Sequence, residues 1–244
     1  MRQAAPLLAV GLALALLALF MPALGPLFAA AFPGVALPVY GRESFAILLA
    51  WHAGLVALST LASCLVGVGL GIFVTRPAGA DFRPIAAAAA AIGQTFPPVA
   101  VLAVSVPAVG YGALPTLIAL ILYGLLPILE NTIAGIATVP AAVREAAEGM
   151  GLSPLQLLRQ VELPLAAPVI LAGIRTSAIV NIGTATIGST VGAVTLGTPI
   201  INGLVADKLP YVLQGAAVVG LFAILVDLAF GLVERRLRRH ARRE

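Results

Sequence analysis

Residues 138–167 contain the charged and glycine residues whose order has the clearest chemical meaning in the sequence. A helix is expected to begin after Pro140 and to carry Glu145, and Gly149 and Gly151 are expected to end it. An exposed glutamate offers its carboxylate to a donor on another molecule.

A second short helix is predicted in the same segment. Ser153 is a favourable N-cap, Pro154 suits the first helical position, and Pro164 is expected to end the helix. The apolar stripe of this helix consists of three leucines, Leu155, Leu158 and Leu163. Since helices this short are not stable alone, the helix–turn–helix element is predicted to pack against a partner.

The composition excludes several classes of protein. The 244 residues are 61% hydrophobic and 10% charged, too few charges for a water-facing globule. A soluble enzyme, a disordered chain and a compact nucleic-acid binder are therefore excluded. Cys64 is the one cysteine, and His52 and His240 are the two histidines, so a disulfide and a multi-histidine metal centre within one chain are also excluded. An integral membrane protein remains.

Six apolar runs have the length that a membrane-spanning helix requires, about 20 residues at 1.5 Å each. They cover residues 6–27, 45–74, 85–106, 114–137, 169–191 and 211–233. Pro22, Gly25 and Pro26 are expected to end the first run. In the second run, Trp51 and His52 are expected at the membrane interface.

The basic residues are distributed unevenly along the chain. With the N-terminus in the cytoplasm, Arg42 and Lys208 lie outside, and eleven arginines lie in cytoplasmic segments: Arg2, Arg76, Arg83, Arg144, Arg159, Arg235, Arg236, Arg238, Arg239, Arg242 and Arg243. The positive-inside rule therefore predicts that both termini are cytoplasmic. The basic tail, residues 235–244, is predicted to contact anionic lipid and not nucleic acid. Cleavage of the first span near residues 29–31, as a signal peptide, is the alternative to a retained span.

Polar residues within the spans need a reason, because such residues are costly in a bilayer. Glu130 is either a pathway residue facing the subunit interface or a carboxylate that snorkels to the surface or pairs, for example with Arg175, and the sequence leaves both open. Arg175 and Asp227 are expected to extend towards the aqueous surface. The candidate translocation path comprises Gln94, Glu130, Asn131, Asn181, Thr184 and Thr186. The small polar residues of the fifth span fit close helix packing as well.

Segment 138–167 resembles the EAA signature of ABC-importer permease subunits. The matching residues, at the spacing of that family, are Glu145, Ala146, Ala147, Gly151, Val161, Leu163 and Pro164, with valine where isoleucine is more usual. In that family the loop contains the coupling helix, which seats in a groove of an ATP-hydrolysing subunit. The resemblance therefore assigns these residues to ATPase coupling. It also implies that ATP and Mg²⁺ belong to the partner ATPase, with no cofactor on this chain.

The spans resemble one branch of that family, the permeases of glycine betaine, choline and carnitine importers. The similarity covers residues 45–234 and includes QTFP at 94–97, LYGLLP at 122–127 and GTAT at 183–186. The chain departs from the branch at Pro98, where serine is expected, and at residues 194–195, where a second glycine is common. It also departs at Glu130, where a basic residue is common.

These observations predict an all-α, polytopic transmembrane bundle of about six spans, with a cytoplasmic coupling helix between spans four and five. Residues 1–44 form an N-terminal span and external loop, and residues 45–234 form the permease domain. The resemblance implies a non-enzymatic permease in a prokaryotic inner membrane, carrying a quaternary-ammonium solute. Its implied partners are an ATPase dimer, a second permease chain and an extracytoplasmic binding protein. The alternatives are another importer branch, for amino acids or oxyanions, and a non-ATP-driven secondary transporter or channel, although the sequence lacks matching interrupted halves.

Overall fold

The computed structural model describes residues 5–240, with side chains described as far as residue 237, and this part of the chain is helical without a β-strand. The helices are α1 Ala5–Phe20, α2 Gly25–Ala31, α3 Phe45–Val74, α4 Arg83–Thr95, α5 Pro98–Val109, α6 Ala113–Ala137, α7 Ala141–Gly149, α8 Pro154–Leu157, α9 Leu163–Ala185, α10 Gly197–Val205 and α11 Leu209–His240. Arg2, Arg242 and Arg243, which entered the prediction of orientation, lie outside the described residues.

Five helical stretches are long and apolar enough to cross a membrane, and they are Ala5–Ala31, Phe45–Val74, Ala113–Ala137, Pro154–Ala185 and Leu209–Leu237. The predicted third span is instead two helices, α4 and α5, which meet at 95°. The break occurs at Phe96, whose backbone is extended because a following proline disfavours the helical conformation. With the bent pair counted as one span, the predicted all-α bundle of about six spans is confirmed.

Two predictions of helix ends are wrong. Pro22, Gly25 and Pro26 do not end the first span, because each lies in the first turn of a helical element, where proline is tolerated. Pro164 also lies in a first turn, that of α9. A π turn, Leu158–Glu162, joins α8 to α9, so the helical stretch continues through Pro164.

The centre of the bundle is formed by α3, α6 and α9, which approach closely through small residues. A Cβ atom added at Gly124 of α6 would lie 2.5 Å from Ser177 Oγ on α9 and 2.8 Å from Ser63 Oγ on α3. A Cβ atom at Gly173 of α9 would lie 2.6 Å from the carbonyl oxygen of Pro127. Glycine at these two positions is what allows the three helices to meet.

Helix α1 packs along α11 at one side of the bundle. Leu14 and Ala18 of α1 share a buried cluster with Val218 of α11, and Leu225 packs against that cluster. The two helices also contact each other at Gly11, where an added Cβ atom would lie 3.5 Å from Leu225 Cδ1, an ordinary van der Waals distance. The first described span therefore rests mainly on the last one.

The loop between α2 and α3 is fastened to the beginning of α11. The buried Gln214 accepts a hydrogen bond from the Tyr40 N–H at 3.0 Å and donates one to the Pro38 carbonyl at 2.7 Å. The Tyr40 hydroxyl donates to the carboxylate of Glu43. Burial, reinforced by this carboxylate, raises the pKa of Tyr40 well above its usual value, so the hydroxyl stays protonated and remains a donor.

Candidate functional site

The helix–turn–helix element predicted within residues 138–167 is present between α6 and α9. Helix α7 carries the exposed Glu145, and Gly151 follows its end with φ of +84°, a conformation that favours glycine. Ser153 caps α8 in a capping box with Gln156: the Gln156 N–H donates to Ser153 Oγ at 3.4 Å, and Gln156 Oε1 accepts from the Ser153 N–H at 2.8 Å. The predicted helix starts and the turn are confirmed.

The predicted coupling residues differ in their exposure. The exposed ones are Glu145, Ala146, Gly151 and Pro164. Val161 and Leu163 are half-buried, and Ala147 is buried.

The leucine that packs inward from α8 is Leu157, whereas Leu155 of the predicted stripe is 54% exposed. Met150, in the turn, is 75% exposed. An exposed carboxylate beside exposed apolar side chains is a surface suited to a protein partner.

Sequence reasoning missed Glu162, the buried carboxylate of the π turn. Its Oε2 lies 2.7 Å from Arg76 Nη2, and its Oε1 lies 3.6 Å from Arg144 Nε. The available signal was an acidic residue at the start of an apolar span, where burial requires a cationic partner. The identity of those partners could not be read from spacing, because Arg76 is 86 positions away along the chain.

A second ionic cluster joins α9 to α11. Arg175 Nη2 lies 2.6 Å from Asp227 Oδ1, its Nε donates to the same oxygen at 2.7 Å, and its Nη1 lies 3.5 Å from Glu234 Oε2. A half-exposed cavity of about 330 Å³ adjoins the three side chains. The pairing of Arg175 with Glu130 is therefore wrong: Glu130 is exposed on α6, and Arg175 pairs with Asp227 and Glu234 instead.

The six residues of the candidate path have different surroundings. The Gln94 side chain donates to the Tyr123 carbonyl at 2.8 Å, which holds α4 against α6. The Asn131 side chain donates to the Pro127 carbonyl one turn earlier. Glu130 is exposed, Thr184 is half-buried, and the Thr186 hydroxyl donates to the Gly183 carbonyl.

Asn181 is fully buried at the contact between α3 and α9. Its Nδ2 donates to Ser59 Oγ at 3.2 Å and Thr60 Oγ1 at 3.4 Å, whereas its Oδ1 has no partner among the described residues. The surroundings of Asn181 are those of helix packing, the alternative that the sequence left open for the small polar residues of this span.

His52, which is expected at the membrane interface, does not lie on the surface of the bundle. The side chain is fully buried, and its Nε2 donates to the Ile182 carbonyl on α9 at 3.1 Å. Its ring also packs edge-on against Phe222 of α11, with 5.9 Å between ring centroids. Trp51, its neighbour, is 60% exposed. Because α3 turns about 100° per residue, consecutive residues face different surroundings, which hydropathy alone does not distinguish.

Residues 67–239 match the model of the family described as binding-protein-dependent transport system inner membrane component. The chain therefore belongs to this family of ABC-importer permeases, as the resemblance implied. Helices α1 and α2 and the first part of α3 precede the matched residues.

Individual permeases are similar over most of the chain. The osmoprotectant import permease protein OsmY of Salmonella typhimurium is 41% identical over 78% of this chain and 80% of its own length. The choline transport system permease protein OpuBB of Bacillus subtilis is 40% identical over 76% and 85%. The glycine betaine/carnitine/choline permease protein OpuCB of Bacillus subtilis is 41% identical over 71% and 82%.

Solved structures share the fold. A structure of the MetNI methionine ABC transporter in an inward-facing conformation contains a chain that matches with a TM-score of 0.69 at 21% identity, covering 81% of this chain and 99% of that one. An amino acid ABC transporter with histidines gives a TM-score of 0.63 at 21% identity, over 78% and 92%. At this identity the likeness shows the fold and nothing about the substrate.

Proposed function

We propose that this permease carries a compatible solute with a quaternary ammonium group, of the glycine betaine, choline or carnitine type. The observation that carries the proposal is the identity of about 40% to permeases named for these solutes, over more than two thirds of each chain. The QTFP and LYGLLP segments lie at the α4–α5 break and in α6, and the second of them includes Gly124, which is buried at the centre of the bundle.

The helix–turn–helix element is the docking site for an ATP-hydrolysing subunit in this proposal. Glu145, Met150 and Leu155 are exposed on it, and the element is held against the bundle by Arg144 and Leu157. Because this surface is exposed and is also fixed to the bundle, a movement of a bound partner can be transmitted to the membrane helices. ATP and Mg²⁺ are bound by that partner, and the hydrolysis takes place there.

In this proposal, α7 and α8 lie in the cytoplasm of a prokaryotic cell, and both termini lie on that same side of the membrane. Two of the arginines used to predict this orientation, Arg76 and Arg144, lie at the same end of the bundle, since both pair with Glu162. Arg42 and Lys208 lie near the opposite end, where they line one cavity with Tyr40 and Tyr211. A solute-binding protein would deliver its cargo at that opposite end.

Two permease chains, identical or different, form the transport unit, and each docks one ATPase subunit. The bundle supports this proposal because α3, α6 and α9 are tightly packed. At position 124 there is no room even for the Cβ atom of an alanine. A path for a solute is therefore better placed between two chains than inside the centre of one.

ATP-driven uptake of labelled glycine betaine tests the proposal. The chain is reconstituted in proteoliposomes with its co-purifying ATPase and the cognate binding protein, and unlabelled choline, carnitine and methionine serve as competitors. We expect uptake that requires ATP and that choline and carnitine inhibit, whereas methionine does not. ATP hydrolysis without uptake of betaine would contradict the substrate class, and the absence of a co-purifying ATPase would contradict the docking role of α7 and α8.

A further inference from the structure

One carboxylate connects the helix–turn–helix element to the ends of several membrane helices. Glu162 is 3% exposed and lies in the π turn that leads into α9. Arg76, two residues after the end of α3, reaches its Oε2, and Arg144 of α7 reaches its Oε1. The carboxylate thus joins three separate elements.

Arg144 extends the connection to a fourth element. Its Nη2 donates to the Ile136 carbonyl at 2.9 Å and to the Val139 carbonyl at 3.0 Å. Ile136 belongs to the last turn of α6, and its carbonyl oxygen also accepts a hydrogen bond from the Val139 N–H at 3.3 Å, so the guanidinium adds a second donor at this helix end. Arg144 also immediately precedes Glu145, the exposed carboxylate of the docking surface.

From these contacts we infer that Glu162 is a positioning residue that makes α7 and the ends of α3, α6 and α9 move as one rigid joint. The inference rests on the proposed function, because it requires an ATPase that displaces α7. When the ATPase displaces α7 through Glu145, α3, α6 and α9 then move together with it. Without the joint, α7 would pivot about its connection to α6.

The charges explain why the joint resists separation. Moving α7 away would leave a buried carboxylate with one partner fewer, and removing the carboxylate would leave two arginines without their common counter-ion. A cavity of about 310 Å³, lined by the same three side chains and by Arg83, adjoins the cluster.

The first test replaces Glu162 by Gln in the reconstituted importer. Asp81→Asn is the matched control, since Asp81 is an exposed carboxylate between α3 and α4, outside the docking element. We expect the Glu162→Gln complex to assemble and hydrolyse ATP, while solute transported per ATP falls about 10-fold, within the range typical of coupling between sites. Glu162→Asp, which keeps the charge, should recover part of the coupling, and Asp81→Asn should behave as the wild type.

A second test uses the native joint and does not depend on the folding of a Glu162 variant. Cys64 is replaced by Ser, and spin labels are attached at Phe73→Cys on α3 and Met150→Cys in the turn after α7, both of which are exposed. Labelled chains are diluted with unlabelled ones so that only distances within one chain are measured. We expect the same distance distribution in the nucleotide-free and ATP-bound complexes.

The outcomes separate this inference from the proposed function. Unchanged transport per ATP in Glu162→Gln, loss of ATPase binding in that variant, or a distance that shifts between nucleotide states would each overturn the rigid joint. Failure of the wild-type complex to take up betaine with ATP would instead contradict the proposed function. If Glu162→Gln does not insert in the membrane, the spin-label distances, which are measured in protein that keeps Glu162, are the test of the rigid joint.

Discussion

His52 Nδ1 accepts a hydrogen bond from the backbone N–H of Leu196 at 3.3 Å, although the two residues are 144 positions apart. Since its Nε2 donates to Ile182, the neutral ring joins α3 to both ends of the segment that connects α9 and α10. One imidazole therefore satisfies two buried backbone groups, a donor and an acceptor.

Replacing His52 by Leu should lower the free energy of unfolding by about 1–3 kcal/mol for each backbone group left without a partner. Thermal unfolding in detergent, followed by the fluorescence of Trp51, measures the change. Leu61→Ala is the control, because Leu61 is exposed on the same helix and should leave the transition almost unmoved. Equal transitions for His52→Leu and the wild type would show that the ring contributes little.

Glu145→Lys should abolish ATP-driven uptake while leaving insertion in the membrane intact. The side chain is exposed, so its reversal removes no contact inside the bundle, but it presents a cation where a partner's donor is expected. Uptake in proteoliposomes and the quantity of co-purified ATPase are the measurements. Asp81→Lys, the same change of charge at an exposed carboxylate between α3 and α4, is the control for net charge, and normal uptake by Glu145→Lys would contradict the docking role.

Gly151→Ala should impair uptake more than Gly149→Ala does. Gly151 has φ of +84°, which costs an alanine about 1–2 kcal/mol, whereas Gly149 ends α7 in a helical conformation with open space around it. Gly151→Asp should abolish uptake. The experiment compares uptake and membrane insertion for the three variants, and equal uptake for Gly151→Ala and Gly149→Ala would mean that the turn tolerates rearrangement.

Arg175 and Asp227 should show a measurable coupling energy in a double-mutant cycle. Residues in contact typically couple by about 0.5–3 kcal/mol, and partial exposure of this pair places the expected value in the lower half of that range. Unfolding of Arg175→Gln, Asp227→Asn and the double variant in detergent gives the coupling. A second cycle, with Arg175→Gln and Glu130→Gln, is the control. The changes in the free energy of unfolding should add there, because Glu130 is exposed on another helix.

The local features of the fold could be predicted because their causes lie within a few residues. The N-cap at Ser153 and the turn at Gly151 depend on neighbours in sequence, and long apolar runs predict spans, although the run at 85–106 hides the break before Pro97. The partners of Glu162, Arg175 and His52 could not be predicted, since they lie on elements that only folding brings together. Pro164 was misread because a π turn, which has no simple sequence signal, accommodates it.

The packing of α1 against α11 has a consequence for the order in which the protein matures. During synthesis, α1 leaves the ribosome before the other described spans, and α11 leaves after all of them. The groove that buries Leu14 and Ala18 also requires Val218, so it does not exist until translation has reached α11. Among the spans translated before α11, α3 is the main one that α1 contacts, so the packing of the first described span is complete only after the last one has been made.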